Sequence, residues 1–193
     1  MSASSASRGS AALPEGLKNA SGKGFNRKPT VYVLDSTALI AGQTDFSRKE
    51  FVTTPSVILE VMHDESVKNV VEVAVESGQL EVSSPSEESI KEVEELAAST
   101  GDMARLSRTD LDVLALALEK SRAGLEVVVI SDDYSVQNLA RHMAIRTVGM
   151  IHPGIRKRIT WITYCPVCRA EYGVSNLSVC AKCGAELKRR PAK

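Results

Sequence analysis

All four cysteines of the chain fall between residues 165 and 183, as Cys165-Pro-Val-Cys168 and Cys180-Ala-Lys-Cys183-Gly184, with 11 residues between the pairs. Each CxxC fits in one turn and offers two thiolates, so the two pairs close a tetrahedral shell around a single ion. The segment around them, residues 163–193, is too short to build a core of its own without such a staple. Two disulfides are the alternative, but bridges within a CxxC are strained. The N-terminal stretch Ala11–Leu13 also falls short of the ~7–15 apolar residues a secretory leader needs. A reducing cytoplasm is the expected compartment, where paired cysteines mean metal. Zn²⁺ is the expected occupant, and four sulfur ligands make it structural. Gly184 suits the tight turn beneath the metal.

Upstream of this module the chain alternates short apolar runs with helical patterns. Val31–Asp35 reads as a buried strand ending in a carboxylate, followed by a short helix over Ser36–Ala41. Phe51–Thr53 is a second strand, and Thr54-Pro55 opens a helix, since proline suits the first helical position. Helices are expected over Val67–Ser77 and Glu87–Ala98, with strand-like Leu80–Ser83 between them. Ser107-x-x-Asp110 resembles a capping box before the helix Leu111–Lys120. The β-branched run Glu126–Ile130 precedes a helix over Asp133–Met143, and Ile145–Val148 makes a last short strand. This alternation predicts an α/β fold with a mostly parallel central sheet flanked by helices. The chain divides into a disordered basic arm (1–29), a body (30–150), a basic linker (151–162) and the cysteine module with its basic tail (163–193). The longest apolar run, Val113–Leu118, is far below the ~18 residues of a membrane span.

The formal net charge of zero hides a separation. Residues 1–30 carry +4, residues 31–153 carry −11 and residues 154–193 carry +7. An acidic body suits cations, and basic ends suit a polyanion. The acids of Glu87–Glu95 read more simply as a solvated helix face. Three of the eight aromatic residues, Trp161, Tyr164 and Tyr172, lie in the basic end. With Arg156, Lys157, Arg158, Arg169, Lys182, Lys188, Arg189 and Arg190 they are the expected nucleic-acid-binding set, rings stacking on unpaired bases and cations meeting phosphates. Trp161 packing the linker against the body is an equal alternative.

The acids Asp35, Asp132 and Asp133 follow predicted strands, and Asp110 starts a helix. In an open parallel sheet the carboxyl ends of strands share one crevice, so Asp35 and Asp132–Asp133 can meet there. Clustered carboxylates raise one another's pKa unless a divalent cation neutralises them, and Mg²⁺ or Mn²⁺ fits oxygen ligands that also meet phosphate. Each acid has a plainer role: Asp35 or Asp132 as an N-cap, Asp110 as the third residue of its box. Glu60, beside Val57, Ile58 and Val61 on a short helix, reads from local chemistry as exposed.

Taken in order, Val-Leu-Asp35-Ser-Thr, Val-Ile-Leu-Glu60-Val, Leu-Ser-Arg-Thr-Asp110-Leu-Asp-Val-Leu-Ala-Leu-Ala and Ser-Asp132-Asp133-Tyr-Ser-Val-Gln-Asn-Leu-Ala resemble PIN-domain nucleases. The last string, followed by the two CxxC pairs, resembles the Nob endonucleases, in the compact archaeal form, over residues 31 to about 190. The resemblance implies a PIN-like domain plus a C-terminal zinc ribbon. It implies a single-strand endoribonuclease that matures the 3′ end of small-subunit ribosomal RNA, leaving a 5′ phosphate and a 3′ hydroxyl. Asp35, Asp110 and Asp133 would hold the catalytic Mg²⁺ or Mn²⁺, with Glu60 as a further catalytic acid and Asp132 in support. Ser36 or Thr37 would anchor a metal-bound water. The implied partners are the ribosomal RNA precursor and proteins of the pre-ribosomal particle. Two rivals remain: a toxin-type PIN ribonuclease, which normally lacks the ribbon, and a non-catalytic RNA-binding scaffold, against which the intact acids argue.

Overall fold

Two β-branched runs build the centre of the molecule. In the computed structural model, which describes residues 29–42, 44–46, 50–151, 154 and 157–192, they form β1 (Thr30–Leu34) and β4 (Glu126–Ile130). The two pair in parallel, Val33 opposite Val129 and Leu34 opposite Ile130, all four almost wholly buried. Burial on both faces suits continuous apolar runs rather than alternating ones. β2 (Glu50–Thr53), β3 (Leu80–Val82) and β5 (Arg146–Val148) complete a five-stranded sheet in the order β3-β2-β1-β4-β5. Every pairing in it is parallel.

Helices connect the strands: α1 (Ser36–Ile40), α2 (Pro55–Val61), α3 (Glu65–Glu76), α4 (Glu87–Thr100), α5 (Arg108–Arg122) and α6 (Tyr134–His142). Thr54 caps α2 with its side chain, and Pro55 occupies the first turn, as the sequence predicts. α4 runs two residues beyond the expected Ala98, because Gly101 supplies the left-handed residue that ends a helix, φ +78°. α5 buries Leu111 and Val113–Ala117, and the small Ala115 and Ala117 let it pack close to β1 and β4. Leu114 is fully buried there. Its truncation to alanine costs ~2–5 kcal/mol, the range for a core leucine.

The chain lays β2 and β3 on one side of β1, then returns to place β4 and β5 on the other. The strand order therefore reverses between β1 and β4, and a crevice opens at their carboxyl ends, where such sheets bind ligands. A second sheet of three antiparallel strands, β7-β6-β8, follows: β6 (Trp161–Tyr164) is central, flanked by β7 (Glu171–Gly173) and β8 (Lys188–Pro191). Its own core is Cys165, Cys180 and Leu187. Among the described residues no helix is long and apolar enough to cross a membrane. The expected N-terminal arm, up to residue 28, and Arg156 lie outside the described residues.

Candidate active site

Asp35 leaves β1 and caps α1, its Oδ1 accepting from the Ser36 amide at 2.7 Å. Its Oδ2 accepts from Ser131 Oγ at 2.6 Å and from Thr37 Oγ1 at 3.0 Å. Ser131 holds on β4 the position that Asp35 holds on β1, immediately after the last strand residue. Its hydroxyl also accepts from the Asp133 amide at 3.0 Å, and Thr37 Oγ1 accepts from the Asp132 amide at 3.1 Å. Two hydroxyls thus stitch the ends of β1 and β4 across the switch point.

Asp133 caps α6, its Oδ1 accepting from the amides of Ser135 and Val136. Asp110 completes the capping box of α5, with Oδ2 accepting from the Ser107 amide at 2.7 Å and its own amide donating to Ser107 Oγ. Capping and clustering are not exclusive. Burial raises the Asp35 pKa above the ordinary carboxylate value, with the Asp133 charge adding to it. Burial likewise raises Asp110, which also feels the charges of Asp35 and Asp133. Among the described residues no Lys or Arg forms a salt bridge with any of the three. The oxygens of the three do not lie close enough together to make a preformed metal cage; they are carboxylates that repel one another, a repulsion a divalent ion would relieve.

The remaining acids lie elsewhere. Both oxygens of Asp132 accept from the Ile151 amide, at 3.1 and 3.2 Å, tying it to the segment after β5. Glu60 is exposed on α2, one turn beyond Ser56 on the same side of the helix. Ser56 donates to Asp112 Oδ2 at 2.7 Å, and Asp112 also accepts from Arg108. Sequence reasoning singled out neither Asp112 nor Ser131. Asp112 joins α2, which carries Glu60, to α5, which carries Asp110. The sequence signal for Ser131 was its place directly after a buried strand.

The cysteines form the second centre. Their four sulfurs lie within 4.8 Å of one another, and among the described residues no other group of three or more His, Cys, Asp or Glu comes together closely enough to hold a metal ion. Cys165–Cys183 and Cys168–Cys180 are each 3.5 Å apart, close to the ~3.8 Å edge of a tetrahedron with 2.3 Å zinc–sulfur bonds. The thiols are free, not bridged. Tyr172 Oη, 3.1 Å from Cys180 Sγ, pulls that thiol down to about 6. Cys183 is lowered by the Ala185 amide but pushed up on balance to about 12, Cys165 and the other two thiols crowding it. Thiols this close cannot all ionise without a cation, so the set fits a metal.

The expected RNA-binding residues divide. Arg189 donates to the Gly101 carbonyl and lies 5.2 Å from the centroid of the Trp161 ring. Arg190 pairs with Glu171 and lies 4.9 Å from the Tyr164 ring. Tyr172 is engaged at Cys180. Lys157, Arg158, Arg169, Lys182 and Lys188 are exposed.

Residues 32–119 match the model of a PIN domain of ribonuclease. The chain is 36% identical to Endoribonuclease Nob1 of Archaeoglobus fulgidus over 84% of its length and 92% of that protein's. It is 38% identical to Endoribonuclease Nob1 of Methanocaldococcus jannaschii over 84% of this chain and 79% of that one. Ribonuclease VapC1 of Thermoplasma acidophilum is 35% identical over 82% of this chain and 77% of its own. With such likeness running along nearly the whole of a relative, and with the strand-end acids gathered at the switch point of a parallel sheet, the chain belongs to the PIN-domain family of Nob1 endoribonucleases.

Proposed function

We propose that the protein is a divalent-metal-dependent, single-strand endoribonuclease that matures the 3′ end of small-subunit ribosomal RNA in the cytoplasm. One observation carries this reading: Asp35, Asp110 and Asp133 feel one another's charge at the β1/β4 crevice, and among the described residues no Lys or Arg pairs with them. These residues would hold Mg²⁺ or Mn²⁺, which when bound supplies an activated water and stabilises the leaving oxygen, giving 5′-phosphate and 3′-hydroxyl ends. Thr37 and Ser131 fix one Asp35 oxygen in place, so the carboxylate is orientated before any ion arrives. Burial keeps the site partly dry, which strengthens its pull on a cation. Glu60 is assigned the role of a further catalytic acid, and Asp132, whose amide donates to Thr37 Oγ1, a supporting one. The four cysteines would hold Zn²⁺. The exposed cations of the ribbon would take phosphates of the ribosomal RNA precursor, which the −11 body repels. Proteins of the pre-ribosomal particle are the expected neighbours.

The toxin-type reading uses the same chemistry but gives no work to the cysteine module, and the scaffold reading gives none to the carboxylates. Cleavage of an RNA spanning the mature 3′ end, under Mg²⁺ and under Mn²⁺, tests the proposal. Wild type should cut and Asp35→Asn should not. Failure of the wild type under both ions, or equal cutting by the variant, overturns it.

A further inference from the structure

The two sheets meet along a seam that the carboxylates do not use. At Gly101, where α4 ends, a Cβ would lie 2.9 Å from the Trp161 carbonyl oxygen and 3.1 Å from Trp161 Cβ. Only glycine lets β6 approach the helix end this closely and takes φ +78° without strain. From β8, Arg189 donates to the Gly101 carbonyl, so a cation meets a carbonyl at the negative end of α4. The same guanidinium covers the Trp161 ring.

A second hold lies nearby. Asn138, 3% exposed, donates through Nδ2 to the Ile159 carbonyl at 2.7 Å and accepts through Oδ1 from the Ile159 amide at 2.8 Å. One side chain thus satisfies both backbone groups of the residue that leads into β6, as a neighbouring strand would. His142 Nε2 stands 3.2 Å from the same carbonyl. Asp102, 1% exposed, accepts from Asn138 Nδ2 and from Thr100 Oγ1, both at 2.8 Å, and so fixes which way the amide faces. Its charge also attracts Arg189 across the seam. Asn138 sits on α6, the helix whose N-cap is Asp133. One short helix therefore grips both the crevice and the path into the ribbon.

We propose that this seam makes body and ribbon one rigid unit, and that Gly101, Asp102 and Asn138 are positioning residues that determine which phosphodiester of a bound RNA reaches the carboxylates. The proposal rests on the endoribonuclease reading. A tether would need none of these buried bonds. With phosphates held at the ribbon's exposed cations and repelled by the body, the spacing between ribbon and crevice sets the register of the strand, and play in the seam admits neighbouring bonds.

The test uses the full, zinc-loaded chain, wild type against Gly101→Ala and the gentler Asn138→Ala. By ¹⁵N relaxation, wild-type body and ribbon should share one rotational correlation time, and in the variants the ribbon's should become shorter. On RNA spanning the mature 3′ end, wild type should cut one bond and the variants several adjacent ones. Their rate on a short unstructured RNA should stay within about twofold of wild type. Two correlation times in the wild type overturn the rigid seam. A loosened ribbon with the single cut preserved overturns the register role. A wild type that tumbles as one body but cuts neither RNA defeats the endoribonuclease reading, and the register role with it, while the rigid seam stands.

Discussion

The body and the ribbon each gather like-charged ligands, but they do so from opposite directions. In the body a large core of strands and helices holds Asp35, Asp110 and Asp133 where each feels the others' charge, so on the proposed reading the fold makes the site. In the ribbon the buried apolar residue besides two of the cysteines is Leu187, so the site must make the fold. A centre supported by a core can be tuned for chemistry and tolerate an empty state. A centre that substitutes for a core cannot.

That contrast breaks most readily at the ribbon. Chelating the metal, or replacing Cys180 with Ser, should unfold residues 163–190, because a structural zinc contributes ~10–16 kcal/mol to folding in comparable peptides. The body should remain folded. Limited proteolysis with mass mapping reads both regions at once, and simultaneous loss of both would erase the distinction.

The next largest effect belongs to chemistry. Asp35→Asn, Asp110→Asn and Asp133→Asn should each slow cleavage by more than the ~10–100-fold typical of losing a residue behind a metal ligand. RNA affinity should barely change if, as proposed, the exposed cations of the ribbon hold the phosphates. Asn caps helices as well as Asp, so a role in capping alone would leave the rates intact. Single-turnover rates and filter binding on the same variants separate these outcomes.

A smaller effect concerns stability without a divalent cation. The Asp35 and Asp110 pKa values are raised above 3.8, so folding favours their protonated forms. Their contribution is fully present below 3.8 and is lost as pH rises through the raised folded values. In the cation-free protein Asp35→Asn should therefore raise Tm at neutral pH, and the gap from wild type should close on acidification toward 3.8. Thermal melts of the pair across pH check this, and subtracting the curves removes the acid sensitivity common to both.

The smallest effect compares the two halves of the ribbon. Cys165 and Cys180 donate their amides to Ala170 and Ala185 in matching turns, each at 2.8 Å. One turn places Gly184 at φ +71°, and the other places Arg169 at φ +61°. Arg169→Gly should stabilise the zinc-loaded ribbon by ~1 kcal/mol, and Gly184→Ala should cost a similar amount. Metal-competition titrations resolve differences of that size.

The elements of the body were legible because Val31–Leu34 and Glu126–Ile130 are apolar runs bounded by turn and cap residues, and those patterns are local. Asp35 and Asp133 were legible for the same reason: each stands beside a strand end. Ser131 escaped notice because its hydroxyl matters only once β1 and β4 are neighbours, and the bond to Asp35 joins positions 96 apart. Trp161, Arg189 and Arg190 were read by ring and charge as RNA contacts. What lies against those rings is decided by the pairing of β6 with β8, which places each guanidinium on an aromatic face of its own chain. The two CxxC pairs needed no partner strand to be recognised, since four thiols at that spacing carry their chemistry with them.

The central claim is that the body's fold builds a cation site which Asp35 completes. Adding Mn²⁺ to the zinc-loaded protein at neutral pH while following the melting of the body tests it most directly, because a ligand that binds only the folded state raises Tm with concentration. The account predicts a rise for wild type and none for Asp35→Asn. An unmoved wild-type Tm, or an equal rise in the variant, would contradict it.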